Sequence, residues 1–214
     1  PDTVYAAFDN HKMGDFTPYL LKSADRGASW TSIAGNLPEP HFVWALAQDH
    51  VDPELLFAGT ELGLWVTLDG GGSWIELGGG LPTIAVRDLD VQRRENDLVV
   101  GTFGRGIYIL DDYTPLRGLT EATLAEPAAL FEIRDALRYV PRTRLGMPTL
   151  DKGFQGDTYH LADNPPFGAV FTYHLAETLK TRTERRREAE KLALEAEERI
   201  DYPSIEALEA EARE

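Results

Sequence analysis

"SADRGASW" at residues 23–30 and "TLDGGGSW" at residues 67–74 share one pattern, a hydroxyl residue followed at every second place by Asp, Gly and Ser, with Trp last. Ser23, Asp25, Gly27, Ser29 and Trp30 correspond to Thr67, Asp69, Gly71, Ser73 and Trp74, 44 positions later. Turn chemistry accounts for each choice. An Asp in a turn accepts bonds from nearby backbone N–H groups. Glycine takes a positive φ where a Cβ would clash. A Trp opening the next strand buries a large ring against its neighbours. All ten residues are therefore expected to be scaffold.

Reading outward, "LP" recurs at 37–38 and 81–82, and "AGTELGLWVTLD" (58–69) aligns without a gap with "VGTFGRGIYILD" (100–111). A period of 42 to 44 residues holding several short strands is the pattern of β-propeller blades. In the clearest unit the β-rich runs are "FVWALAQD" (42–49), "LLFAGT" (55–60), "LGLWVTLD" (62–69) and "SWIEL" (73–77). These predict four antiparallel strands joined by short loops. The unit before supplies "TVYAAF", "YLLKSAD" and "SWTSIA", and the unit after supplies "AVRDLDVQ", "DLVVGTF" and "GIYILDD". The prediction is an all-β chain, a partial propeller of about two and a half four-stranded blades over residues 1–117. Closed propellers need at least four blades. The remaining blades of the same ring are expected outside this chain, which opens at Pro1 and reads as a piece of a longer protein.

Residues 118–163, rich in Pro, Gly and Arg, read as a linker packed on the propeller rim. "ALFEIRDALRYV" (129–140) is a candidate there for the missing outer strand. "NPPFGAVFTYHL" (164–175) opens a third region, 164–214, as one strand of a truncated β-sandwich. From Ala176 the composition changes, and residues 177–200 are strong helix formers without Gly or Pro, which predicts a charged helical segment; a second short helix is expected from Pro203 toward Glu214.

Composition narrows the function. The formal net charge of −15 argues against nucleic acid and anionic membrane as partners. The acidic neighbours of Arg185-Arg186-Arg187 offset that basic block. No apolar run is long enough to cross a bilayer. With no cysteine, disulfides and thiolate metal sites are excluded. The five histidines show no metal-ligand spacing, and no nucleotide-binding loop or nucleophile motif occurs. We expect no metal and no cofactor.

The repeated Asp phrase resembles the Asp-box, or BNR repeat, found in sialidases, some endoglucanases and the sortilin (Vps10) luminal domain. "GTFGRGIYILDDYTPLR" (101–117) resembles the end of the propeller in bacterial sortilin-like, BNR-containing proteins. The resemblance implies a secreted, periplasmic or cell-surface protein. It also implies binding of a peptide, protein or glycan, without catalysis, on the face opposite the Asp-boxes. The residues expected to reach that face are His11, His41, Glu61, Arg87 and Arg105. Arg105 leads because flanking glycines leave its planar fork accessible to a carboxylate. A rival view has Arg105 bridge to Asp111, Asp112 or Glu61. The alternative functions are a glycoside hydrolase whose carboxylates lie mostly in absent blades, and a structural or assembly propeller. The FRIP-like stretch typical of sialidases is absent, which weakens that branch.

Overall fold

The computed structural model describes residues 2–136, 138, 167–200 and 202–211. Its fold is all-β, a partial propeller built from three consecutive antiparallel sheets. The first holds β1 (Val4–Asn10), β2 (Asp15–Ser23) and β3 (Thr31–Ser32). The second holds β4 (Val43–Gln48), β5 (Leu56–Thr60), β6 (Gly63–Thr67) and β7 (Ile75–Glu76) in sequence order. The third holds β8 (Val86–Gln92), β9 (Asp97–Thr102) and β10 (Ile107–Leu110). These ten strands match the two and a half expected units.

Alternation along the strands sorts each sheet into two faces. In the middle sheet Leu56, Ala58 and Trp65 pack toward the first sheet with Leu20, Ile33 and Leu37, while Phe57, Leu64 and Val66 pack toward the third with Val86, Leu98 and Val100. We call these the leading and trailing faces. Both are apolar, so β5 is buried along its whole length. Close approach between sheets demands glycine at two points. A Cβ on Gly59 would lie 2.7 Å from Val86 Cγ1, and one on Gly71, at φ 104°, would lie 2.6 Å from Ile33 Cβ.

The ungapped alignment of the second and third units needs one correction. Thr60 pairs with Gly63, whereas the matching bond of Thr102, from its Oγ1, reaches the carbonyl of Gly106. Two residues thus fill the second turn and three the third. Because side chains alternate, the extra residue moves β10 by one place, so Ile107 answers to Leu64 and Tyr108 to Trp65.

The two tryptophans of the Asp phrase also part company. Trp74 is 2% exposed, donating Nε1 to the Ile33 carbonyl at 2.8 Å, with its own backbone N–H and carbonyl held by the Asn36 side chain. Trp30 was expected to be buried alike, yet it is 42% exposed and bonds only back to the Gly27 carbonyl at 3.1 Å. The reason is geometric. The Trp74 ring packs on the preceding sheet, and no described sheet covers that of Trp30.

No described strand pairs with the outer edge of β10. The candidate outer strand instead forms β11 (Ala128–Leu130), which follows α1 (Glu121–Ala125) and pairs with β12 (Tyr173–Leu175) in a separate two-stranded sheet. Residues 131–136 of that candidate are described and form no strand, and most of the 118–163 linker beyond them lies outside the described residues. The charged region forms α2 (Arg182–Glu195), opened by a reciprocal Thr181–Glu184 capping box, and α3 (Ile205–Glu211). Arg186 pairs with Glu190 on its own helix at 2.6 Å and ties α2 to α3 through Glu211 at 3.0 Å. Among the described residues no helix is long and apolar enough to cross a membrane.

Candidate functional site

The β1–β2, β5–β6 and β9–β10 turns and the crossings into β4 and β8 share one end of the sheets, and the Asp turns occupy the other. Two bulges shape the first end. Val43 pairs with Thr60 and Ala45 with Gly59, so Trp44 is an extra, unpaired residue of β4. Val86 pairs with Thr102 and Asp88 with Gly101, so Arg87 is the same extra residue of β8. A bulge re-aims its side chain, and here the two meet. The Arg87 guanidinium carbon lies 3.6 Å from the Trp44 ring centroid and 5.2 Å from that of Phe103.

Around this stack the first two units contribute more rings. His11, in a one-turn 3-10 helix closed by Gly14 at φ 81°, stacks on Phe42 at 5.1 Å and 11°, and its Nδ1 meets the Asp9 carboxylate. Phe42 meets Trp44 edge-on at 5.0 Å. Glu61, first in the β5–β6 turn, accepts a 2.7 Å bond from Trp44 Nε1. Its carboxylate is 3.9 Å from Arg87, beyond hydrogen-bond range. Arg87 is thus held by stacking and charge, and its in-plane N–H groups make no hydrogen bond among the described residues. Stacked guanidinium keeps those donors available to an incoming acceptor.

Of the five residues expected here, the structure joins His11, Glu61 and Arg87 in one cluster around Trp44. His41 turns aside, edge-on to Trp65 at 5.5 Å with Nδ1 3.4 Å from Thr60 Oγ1. Burial lowers its pKa, against a smaller opposing pull from Glu76. Arg105 stands exposed between Gly104 (φ 85°) and Gly106 (φ 84°), with no ion pair or hydrogen bond among the described residues. Of the rival bridge partners, Glu61 serves Trp44 and Asp112 lies 3.8 Å from Arg134, and none, Asp111 included, reaches Arg105 among the described residues.

At the opposite end each Asp closes on its own turn. Asp25 accepts from Ser29 Oγ at 2.7 Å, Ser29 N at 2.8 Å and Ser23 Oγ at 2.8 Å, and its pKa falls to about 2. Asp69 accepts from Thr67 Oγ1 at 2.6 Å and Ser73 N at 2.9 Å, and its pKa is lowered by the same kind of bonding. No group of His, Asp and Glu among the described residues is arranged to hold a metal ion.

Sequence reading missed the clamp beside them. Asp49, buried in the β4–β5 turn, takes a two-pronged bond from Arg117 at 2.7 Å on each arm, one from Tyr113 Oη at 2.7 Å and one from Asp52 N at 2.8 Å. Burial alone would raise the Asp49 pKa. Arg117, the Asp52 amide and Tyr113 outweigh it and hold the carboxyl well below the usual range. The separation of 68 residues between Asp49 and Arg117 left no local signal.

No family model matches this chain, and no curated protein matches it. Among solved structures it is similar to part of the Niastella koreensis GH74 enzyme, with 21% identity and a TM-score of 0.36. That match covers 44% of this chain and spans 17% of the GH74 enzyme's length.

Proposed function

We propose that this chain is part of a non-catalytic ligand-binding β-propeller of the Asp-box, sortilin-like type. It takes a peptide, protein or glycan at the end of the sheets opposite the Asp turns. The observation that carries this reading is the bulge pair: Arg87 lies flat on Trp44, partly exposed, with Glu61 3.9 Å away and no hydrogen bond on its N–H fork among the described residues. Phe103, 68% exposed, offers an apolar surface beside it. Arg105 in the same β9–β10 turn adds a second cation on a glycine-flanked support.

The test is titration with peptides bearing free or amidated C-termini and with neutral and acidic oligosaccharides. Arg105→Lys keeps the charge and loses the fork. It should weaken binding of carboxylate-bearing probes several-fold while the melting temperature stays within a degree or so, as is usual for a surface change of a few tenths of a kcal/mol. Unchanged affinity with a lowered melting temperature would make Arg105 a structural clamp instead. Release of reducing sugar from any oligosaccharide would replace the binding reading with a glycoside hydrolase.

A further inference from the structure

Glu61 is fixed by both its backbone and its side chain. Its backbone N–H donates to the Phe42 carbonyl at 3.2 Å, and its Oε2 accepts from Trp44 Nε1 at 2.7 Å. The same oxygen lies 3.9 Å from Arg87 Nη2. The second oxygen, Oε1, makes no hydrogen bond among the described residues, and neither does the Arg87 guanidinium. An acceptor that cannot donate and a fork of donors that cannot accept thus stand side by side, both partly exposed.

Such a pair discriminates between ligands. A carboxylate drawn to the Arg87 fork would bring a second negative charge up to Glu61, and the two would repel. Arg105, by contrast, has no ion pair among the described residues. An uncharged, hydroxyl-rich group meets no repulsion at Glu61. A hydroxyl both donates and accepts, so neighbouring hydroxyls of one sugar ring can give a hydrogen to Glu61 Oε1 and take one from Arg87. Aromatic surface completes the match. The Trp44 ring centroid lies 3.6 Å from the guanidinium carbon, and that of Phe103, a residue 68% exposed, lies 5.2 Å away. The C–H face of a pyranose packs on surface of this kind, as apolar walls with a few placed polar groups hold other small ligands. A peptide read through its main chain needs a free strand edge, whereas this end of the sheets carries turns.

We infer that Glu61 is the specificity-determining residue of this end: beside Arg87 and Trp44 it selects an uncharged glycan and disfavours a carboxylate. This selection rests on the binding function proposed above and narrows its ligand at Arg87 to a neutral sugar.

Titration calorimetry of the full chain tests it with matched probes, neutral oligosaccharides of glucose, galactose, mannose and xylose, each beside a counterpart carrying one uronic acid. The wild type should bind at least one neutral oligosaccharide more tightly than its acidic counterpart. Glu61→Gln removes the charge and keeps the side-chain volume and, through its amide oxygen, the Trp44 bond. It should lower the ratio of neutral to acidic affinity several-fold, whereas a merely structural loss would weaken both probes alike. The Trp44 indole N–H resonance, assigned by its loss in Trp44→Phe, should shift when the neutral probe binds the wild type. Wild-type preference for the acidic counterpart overturns the selection and leaves the binding function standing. So does an unshifted indole resonance, or an unchanged ratio in a Glu61→Gln protein of native melting temperature. Should Glu61→Gln fail to fold, the wild-type preference and the indole shift still decide. Tighter binding of an amidated peptide than of every oligosaccharide gives the site to a peptide and also overturns the selection. Binding of no oligosaccharide and no peptide removes the binding function and the selection together.

Discussion

Asp49 shows how one residue organises a joint. Its carboxylate has no solvent exposure, and two Arg117 bonds, a tyrosine hydroxyl and a backbone amide satisfy it. Removing Arg117 strands a buried charge, which typically costs about 3–5 kcal/mol. Arg117→Ala should show that loss in urea denaturation, and Arg117→Lys should recover part of it. Recovery to full stability by Lys would mean that the two-pronged geometry contributes nothing. Acid provides an independent probe. Asp25 has a folded pKa of about 2 against an ordinary 3.8, and that of Asp49 is also depressed. Depressed carboxylates stabilise the fold above their unfolded pKa and stop doing so as pH falls through the folded value. Stability from these two sites should thus hold at neutral pH and decline below about pH 4. In thermal melts, the deficit of Asp25→Asn relative to wild type should be largest near neutrality and shrink toward pH 2. A deficit constant with pH would show that the carboxylate charge is not what the turn uses.

The two copies of the Asp phrase are a matched pair of elements in unequal surroundings. Their internal bonds are nearly the same, with Ser23 or Thr67 and then Ser29 or Ser73 closing on the Asp. Among the described residues, only the second copy packs on a neighbouring sheet. Trp74→Ala should therefore cost about 3–5 kcal/mol, the usual loss for a large core aromatic. Trp30→Ala should cost clearly less, since its ring keeps much of its contact with water. Asp69→Ala removes turn bonds without opening a cavity and should cost about 0.5–2 kcal/mol, as a lost cap does. Denaturant titration of the three variants ranks them, and a Trp30 loss equal to that of Trp74 would contradict the neighbour-sheet explanation. The bulges are the other paired element. Trp44 and Arg87 occupy equivalent places, and only the step between sheets turns two ordinary strand residues into a stacked pair.

At the scale of the molecule, successive sheets bury one another through alternating faces, and β5, covered on both sides, is buried along its whole length.

The sequence by itself determined the local rules. Spacing of Asp, Gly, Ser and Trp defined the two turns, period-two runs defined the strands, and the 42-to-44-residue repeat defined the unit. These are legible because hydrogen-bonded turns and alternating strands are satisfied within a few residues. Tertiary structure decided what depends on neighbours distant in the chain. It set the one-residue difference between the β5–β6 and β9–β10 turns, which moves every side chain of β10 to the other face. It buried Trp74 and left Trp30 in water. It brought Arg87 onto Trp44 and Arg117 onto Asp49, and it turned His41 away from the cluster that His11, Glu61 and Arg87 share. Pattern in a sequence records which face a residue takes, whereas the partner across that face is fixed only when the sheets close on one another.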